Sequence, residues 1–294
     1  MRSLTRRVYP RRADRQPRIG RVARVILPLL ATGLVGGLLS GMFGVGGGIV
    51  MVPMLMWWAR MDQRRASATS LVAIVPSAVV GAVGYGINGQ IDYFAAALIA
   101  VGAVVGAPIG AWLLRTLPLG WLRWMFIAGL LIIALRLILV APERGGSLEL
   151  DVLPIIGLVV LGFVMGIASG MFGIGGGVIA VPVLIALFGM GDLVAKGTSL
   201  LAMIPTALSG TVANVRAGMV DVRQGLIVGI AAACASLGGV ALAFLVPPQV
   251  AGVLFGILLL AVVAQLSVRA VRAQRAARAS AREDAAADAP SDRG

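Results

Sequence analysis

The chain has no histidine and a single cysteine among its 294 residues. One cysteine cannot form an internal disulfide framework, and with no histidine beside it there is no zinc cluster. Cys234 sits in an apolar run and reads as a small packing residue. Charge is scarce as well, at 13%, and the twelve acidic residues fall in tails, loops or the ends of apolar runs. Proton relays and cation sites inside membranes are built from buried carboxylates or histidine. Cation transport, metal binding and acid–base enzyme chemistry are therefore disfavoured, and no enzyme activity or cofactor is expected. Ten-residue alternating strands, the mark of an outer-membrane barrel, are missing. The glycine runs follow no strand pattern and precede no GK[ST], so they are not nucleotide loops.

Apolar sequence is what the chain has. It is 59% hydrophobic, with a mean hydropathy of +0.98. Uncharged runs cover Val25–Ala59, Tyr93–Leu114, Trp124–Leu135, Leu153–Met190, Leu200–Val215 and Gln224–Val268. Several exceed the roughly 20 residues that a helix needs to cross a bilayer core. The fold class is an all-α polytopic integral membrane protein. The net charge of +13 does not point to nucleic acid, because nine Arg lie in residues 1–24 and six in 269–294. Basic tails beside membrane spans mark the cytoplasmic face.

Shifted by 129 residues, the sequence matches itself without a gap from Gly37 to about Leu139. SGMFGVGGGIVMVP (Ser40–Pro53) returns as SGMFGIGGGVIAVP (Ser169–Pro182), and Thr69-Ser70-Leu71 returns as Thr198-Ser199-Leu200. Pro76, Gly81, Gly89, Asp92 and Gly110 meet Pro205, Gly210, Gly218, Asp221 and Gly239. The chain is two copies of one unit. Its expected parts are an Arg-rich cytoplasmic tail (1–24), transmembrane repeat 1 (25–140), an external linker (141–152), transmembrane repeat 2 (153–268), and a basic cytoplasmic helix with a disordered tail (269–294).

The lysines and arginines decide how each copy threads the membrane. If Val25–Ala59 crosses once, six of them fall outside. If the segment folds back at its glycines and three spans follow, only Arg144 and Lys196 lie outside, against twenty-two inside. Arg136 then falls within a span, either snorkelling or facing an anion pathway. The positive-inside rule favours the hairpin. Each repeat is then a glycine-broken helical hairpin plus three transmembrane helices, and the second repeat is inverted relative to the first. Inverted-topology repeats are characteristic of secondary transporters, whose sites lie near the midplane at interrupted helices.

A broken helix inside a membrane survives only where protein or a water-filled cavity satisfies its backbone. The segment after Gly46-Gly47-Gly48 can resume as a helix, with N–H groups and the positive dipole end aimed into the break. That makes an anion site without a basic side chain. The candidate binding residues are Ser40, Gly41, Gly44, Gly46, Gly47, Gly48, Thr69 and Ser70. Their mates are Ser169, Gly170, Gly173, Gly175, Gly176, Gly177, Thr198 and Ser199. Glycines in membrane helices also serve close packing alone, and the Thr-Ser pairs read equally well as N-caps. Pro53, Pro76, Pro182 and Pro205 are gating or structural positions, and Asp92 and Asp221 read as caps of the helices that follow.

On these residues the chain resembles the TauE/SafE sulfite exporter family, also called the toluene sulfonate uptake permeases. The likeness rests on the doubled GxGGGxxxxP pattern, on ATSL and GTSL with their later prolines, and on NGQID and AGMVD. It implies a multi-pass permease of the cell inner membrane for sulfite or organosulfonates, with both glycine hairpins and both Thr-Ser elements along the pathway. Export of a small anion by alternating access is the expected activity. An uptake permease for organic acids, a passive anion channel and a non-transporting scaffold are the alternatives, and a homo-oligomer is possible. Both termini are expected in the cytoplasm.

Overall fold

A computed structural model describes residues 18–116 and 152–287, with isolated positions between 124 and 135. The described residues form nine helices and no strand. They are α1 (Arg18–Phe43), α2 (Gly48–Trp57), α3 (Gln63–Ile87), α4 (Tyr93–Thr116), α5 (Val152–Phe172), α6 (Gly177–Phe188), α7 (Asp192–Arg216), α8 (Val222–Leu245) and α9 (Pro248–Ala287). All but α2 and α6 are long and apolar enough to cross a membrane, seven in total. The expected third span of the first repeat (Trp124–Leu135, with Arg136) lies almost entirely outside the described residues, as does most of the linker.

The helix ends follow from polar chemistry. Asp62 accepts from Arg65 N–H (2.8 Å), Asp92 from Ala95 N–H (2.9 Å) and Asp221 from Arg223 N–H (3.0 Å). Asp92 and Asp221 thus cap helices, as the sequence suggests. The Thr-Ser pairs are not caps: α3 starts from Asp62 and α7 from Gly191, so Thr69-Ser70 and Thr198-Ser199 lie well inside their helices. Helix α1 begins at Arg18, seven residues before the first uncharged run. Helix α9 runs unbroken through Arg269, Arg272, Arg275, Arg278 and Arg282 to Ala287.

Glycines set how the helices meet. A side chain on Gly102, Gly106 or Gly110 of α4 would strike the carbonyls of Val159, Phe163 or Ile167 on α5. Gly33, Gly37 and Gly41 of α1 meet Val228, Ala232 and Ser236 of α8 in the same way. Contacts at four-residue steps bring two backbones together as only small residues allow, and the rising numbers make both pairs parallel. Leu71 faces Gly210 and Gly81 faces Leu200, so α3 and α7 are antiparallel. Each repeat's first helix therefore lies against the other repeat's fourth. The outward faces carry exposed Val101, Val105, Ile230 and Leu237, a surface suited to lipid. Cys234 is on such a face, not in the packed interior.

Candidate functional site

Helices α2 and α6 have 10 and 12 residues, about 15 to 18 Å at 1.5 Å per residue, roughly half the bilayer core. Each follows a break built from left-handed glycines, namely Gly44, Gly46 and Gly47 (φ 70, 75 and 68°) and Gly173, Gly175 and Gly176 (φ 67, 81 and 79°). Residues with a Cβ are strongly disfavoured there. Helix α1 closes with Gly44 N–H on Ser40 O (2.9 Å), and α2 opens with Met51 N–H on Gly47 O (3.0 Å). The chain then doubles back, because Gly47 and Met51 both lie against Gly36 and Leu55 clusters with Leu29. The hairpin expected from the charge pattern is the observed geometry.

The two breaks meet each other. Gly48 abuts Gly173 O and Ile174, while Gly177 abuts Gly44 O and Val45. Ile74 and Met203, equivalent residues of the two repeats, fill the space beside Gly46 and Gly175. Each break is held by the other repeat's Thr-Ser helix. Ser199 Oγ donates to Gly44 O (3.0 Å), Ser70 Oγ to Gly173 O, and Ser67 Oγ to Phe172 O (3.1 Å). The first intrahelical bonds run from Val50 and Met51 to Gly47, and from Ile179 and Ala180 to Gly176. The N–H groups of Gly48, Ile49, Gly177 and Val178 thus stand ahead of them, and two positive dipole ends converge on one buried spot.

The remaining predicted residues divide by environment. Ser40 and Ser169 are fully buried, one turn before each break, and their hydroxyls have no hydrogen-bond partner. Gly41 and Gly170 sit in helix packing, against the carbonyls of Ser236 and Ala107. Pro76 lies against Gly229. Pro53 and Pro182 fall within the short helices and Pro205 within α7.

Thr69 and Thr198 occupy equivalent positions in unlike surroundings. Thr69 lines a cavity of about 1100 Å³ with Arg60, Arg65, Met219, Asp221 and Gln224. Thr198 is fully buried, and its Oγ1 accepts from Asp92 N–H (3.0 Å). Beside it, Gly197 is pressed against Gln90 O. A cavity thus borders the Thr69 side, while Thr198 is tied to the backbone ahead of α4.

Sequence reasoning missed a charged pair. Lys196 Nζ lies 2.6 Å from Asp192 Oδ1, with side chains 3% and 2% exposed, and the Lys196 backbone touches Gly44. The spacing of four residues on an apolar helix was the available signal. Asp192 stands at a span end, where the sequence places its acids, but it is buried rather than exposed.

Comparison with known proteins agrees with this architecture. The sequence profile of the family described as "Sulfite exporter TauE/SafE" matches residues 3–137 and 158–290. The probable membrane transporter protein YunE of Bacillus subtilis (strain 168) is 27% identical over 217 residues, covering 66% of this chain and 79% of that protein. A probable membrane transporter protein of Xylella fastidiosa (strain 9a5c) is 28% identical over 209 residues, covering 68% and 77%. No solved structure matches significantly.

Proposed function

The chain belongs to the TauE/SafE sulfite exporter family, a family of membrane transporters, and from that premise we propose that it exports a small sulfur-containing anion, sulfite or an organosulfonate. The observation that carries this reading is the convergence of the α2 and α6 N-termini on the crossing of the two breaks. Helix N-termini bind anions through their orphan N–H groups and dipoles, and the unpartnered hydroxyls of Ser40 and Ser169 add donors beside them. Export of an anion from an inside-negative cell gains about 2.3 kcal/mol per charge per 100 mV.

The mechanism is alternating access between repeats of inverted topology in the cell inner membrane, with both termini cytoplasmic. The antiparallel run of α3 and α7 supports that inversion, as do the parallel pairs α1–α8 and α4–α5. Under the positive-inside rule the vestibule with Arg60 and Arg65 faces the cytoplasm. The Thr198–Asp92 contact is then the closed outer gate. Its equivalent, Thr69 with Asp221, is the gate that closes in the opposite state. The test is a thermal-shift screen of the purified protein against sulfite, sulfate, sulfoacetate, taurine and small carboxylates, followed by flux in liposomes. Saturable flux of a sulfur oxyanion supports the reading. Unsaturable current would make the protein a channel, saturable carboxylate flux an organic-acid permease, and no flux at all a scaffold.

A further inference from the structure

Two positions that are neutral in the first repeat, Gln63 and Ser67, are Asp192 and Lys196 in the second. The exchange puts an ion pair in the first two turns of a membrane span, 1% and 2% exposed. A buried pair of this kind contributes little net stability, and ionisable groups inside a membrane mark a transport function. Asp192 Oδ1 holds Lys196 Nζ, while Oδ2 is buried with no hydrogen bond. Lys196 adjoins Gly44, whose carbonyl is bound by Ser199 at the crossing of the breaks. The titratable groups facing the pair are committed elsewhere. Tyr85 of α3 donates to Gly41 O, and the Asp92 carboxylate accepts from Ala95 N–H. Among the described residues α1, α2 and α6 bring no titratable group to it.

We propose that this pair is a proton-operated anion site, in which protonation of Asp192 releases Lys196 to hold the transported anion. The proton adds to Asp192 Oδ2 and the carboxylate loses its charge. The Lys196 ammonium then pairs with the anion instead, leaving the buried charge balanced. On release the anion leaves, Asp192 gives up its proton to the same side, and the ion pair re-forms. One proton accompanies each monoanion, so the coupled cycle moves no net charge, and the anion and proton gradients rather than the membrane potential set its direction. The inference rests on the anion-transport reading and adds its coupling ion.

The probe is methanesulfonate, whose charge is fixed between about pH 5 and 8. The full chain in liposomes with a trapped pH-sensitive dye is given an inward methanesulfonate gradient, and anion uptake and luminal pH are followed together. Uptake with luminal acidification at one proton per anion is expected. In detergent, methanesulfonate affinity should weaken as pH rises, by up to about tenfold per pH unit, since binding takes up one proton. Asp192→Asn should flatten that slope, and Asp192→Gln with Lys196→Ser, the first repeat's residues, should abolish the acidification. Uptake without proton movement in the wild-type protein, or the same slope in Asp192→Asn, overturns the inference and leaves anion transport standing. Absence of methanesulfonate uptake at every pH overturns the sulfonate reading and this inference with it.

Discussion

Ser40→Ala and Ser169→Ala separate binding from folding, because the two readings of these hydroxyls predict opposite signs. Both hydroxyls are fully buried and unpartnered. A buried polar group without a partner costs about 1–3 kcal/mol. Alanine removes that cost, keeps the methylene and is the better helix former by a few tenths of a kcal/mol. Each variant should therefore melt at a higher temperature than the wild type without ligand. If the hydroxyls donate to the anion, each is a hydrogen bond to a charged group, about 1.5–3 kcal/mol. At 1.4 kcal/mol per decade this is about a 10- to 150-fold loss of affinity. The assay is one thermal-shift titration per variant with the anion that the screen selects, which yields the unliganded melting temperature and the dissociation constant together. A variant that melts lower would show that the hydroxyl is structural. One that melts higher and binds as tightly would remove Ser40 and Ser169 from the site.

Arg60 is left-handed (φ 53°) where its counterpart Gly189 is a glycine at φ 64°. Arg60→Gly should relieve about 1–2 kcal/mol of backbone strain, less about 0.5–1 for glycine's greater unfolded freedom. It should also raise KM about twofold, the effect of one cation some 10 Å from an anion in water; an unchanged KM would remove Arg60 from the entry path. Gly48→Ala meets Gly173 O with no φ penalty, whereas Gly218→Ala (φ 66°) meets nothing within 4 Å. Melting curves should show Gly48→Ala as the more destabilised, by about 1–3 kcal/mol of overpacking against about 1. The reverse order would mean that the breaks do not touch. In a Cys234→Ala background, Asn88→Cys should react with an impermeant maleimide from outside the cell and Ala217→Cys only after permeabilisation. Labelling of both from one side would refute the inverted topology.

The scaffold was legible in the sequence because membranes leave few options. The repeat, the fold-back at each glycine run and the Asp92 and Asp221 caps all follow from charge placement and backbone satisfaction. What was not legible is contact between elements distant in sequence. That Ser70 holds Gly173, or that Gly48 and Gly177 lie in each other's breaks, depends on how the repeats interlock. The Thr-Ser pairs looked like caps because an apolar run starts beside them, but Asp62 and Gly191 lie earlier and start the helices. Lys196 was placed by charge counting in an external loop, whereas α7 already begins at Asp192 and buries both.

The interlocking also changes which residues can report on function. Every glycine of the two breaks is pressed against backbone or a core side chain, so Gly47→Leu or Gly176→Leu would abolish transport even if no anion ever touched the loop. The informative positions are those where the repeats share a scaffold but differ in chemistry. Tyr85 donates to Gly41 O (2.8 Å), while its counterpart Asn214 is buried with both amide atoms unpartnered. Arg60 replaces a glycine, and Asp192 with Lys196 replaces Gln63 with Ser67. A perfectly symmetric pair of inverted repeats would have no preferred side. The cationic mouth belongs to one repeat and the buried ion pair to the other, so under the proposed mechanism these differences are where directionality and coupling are to be tested.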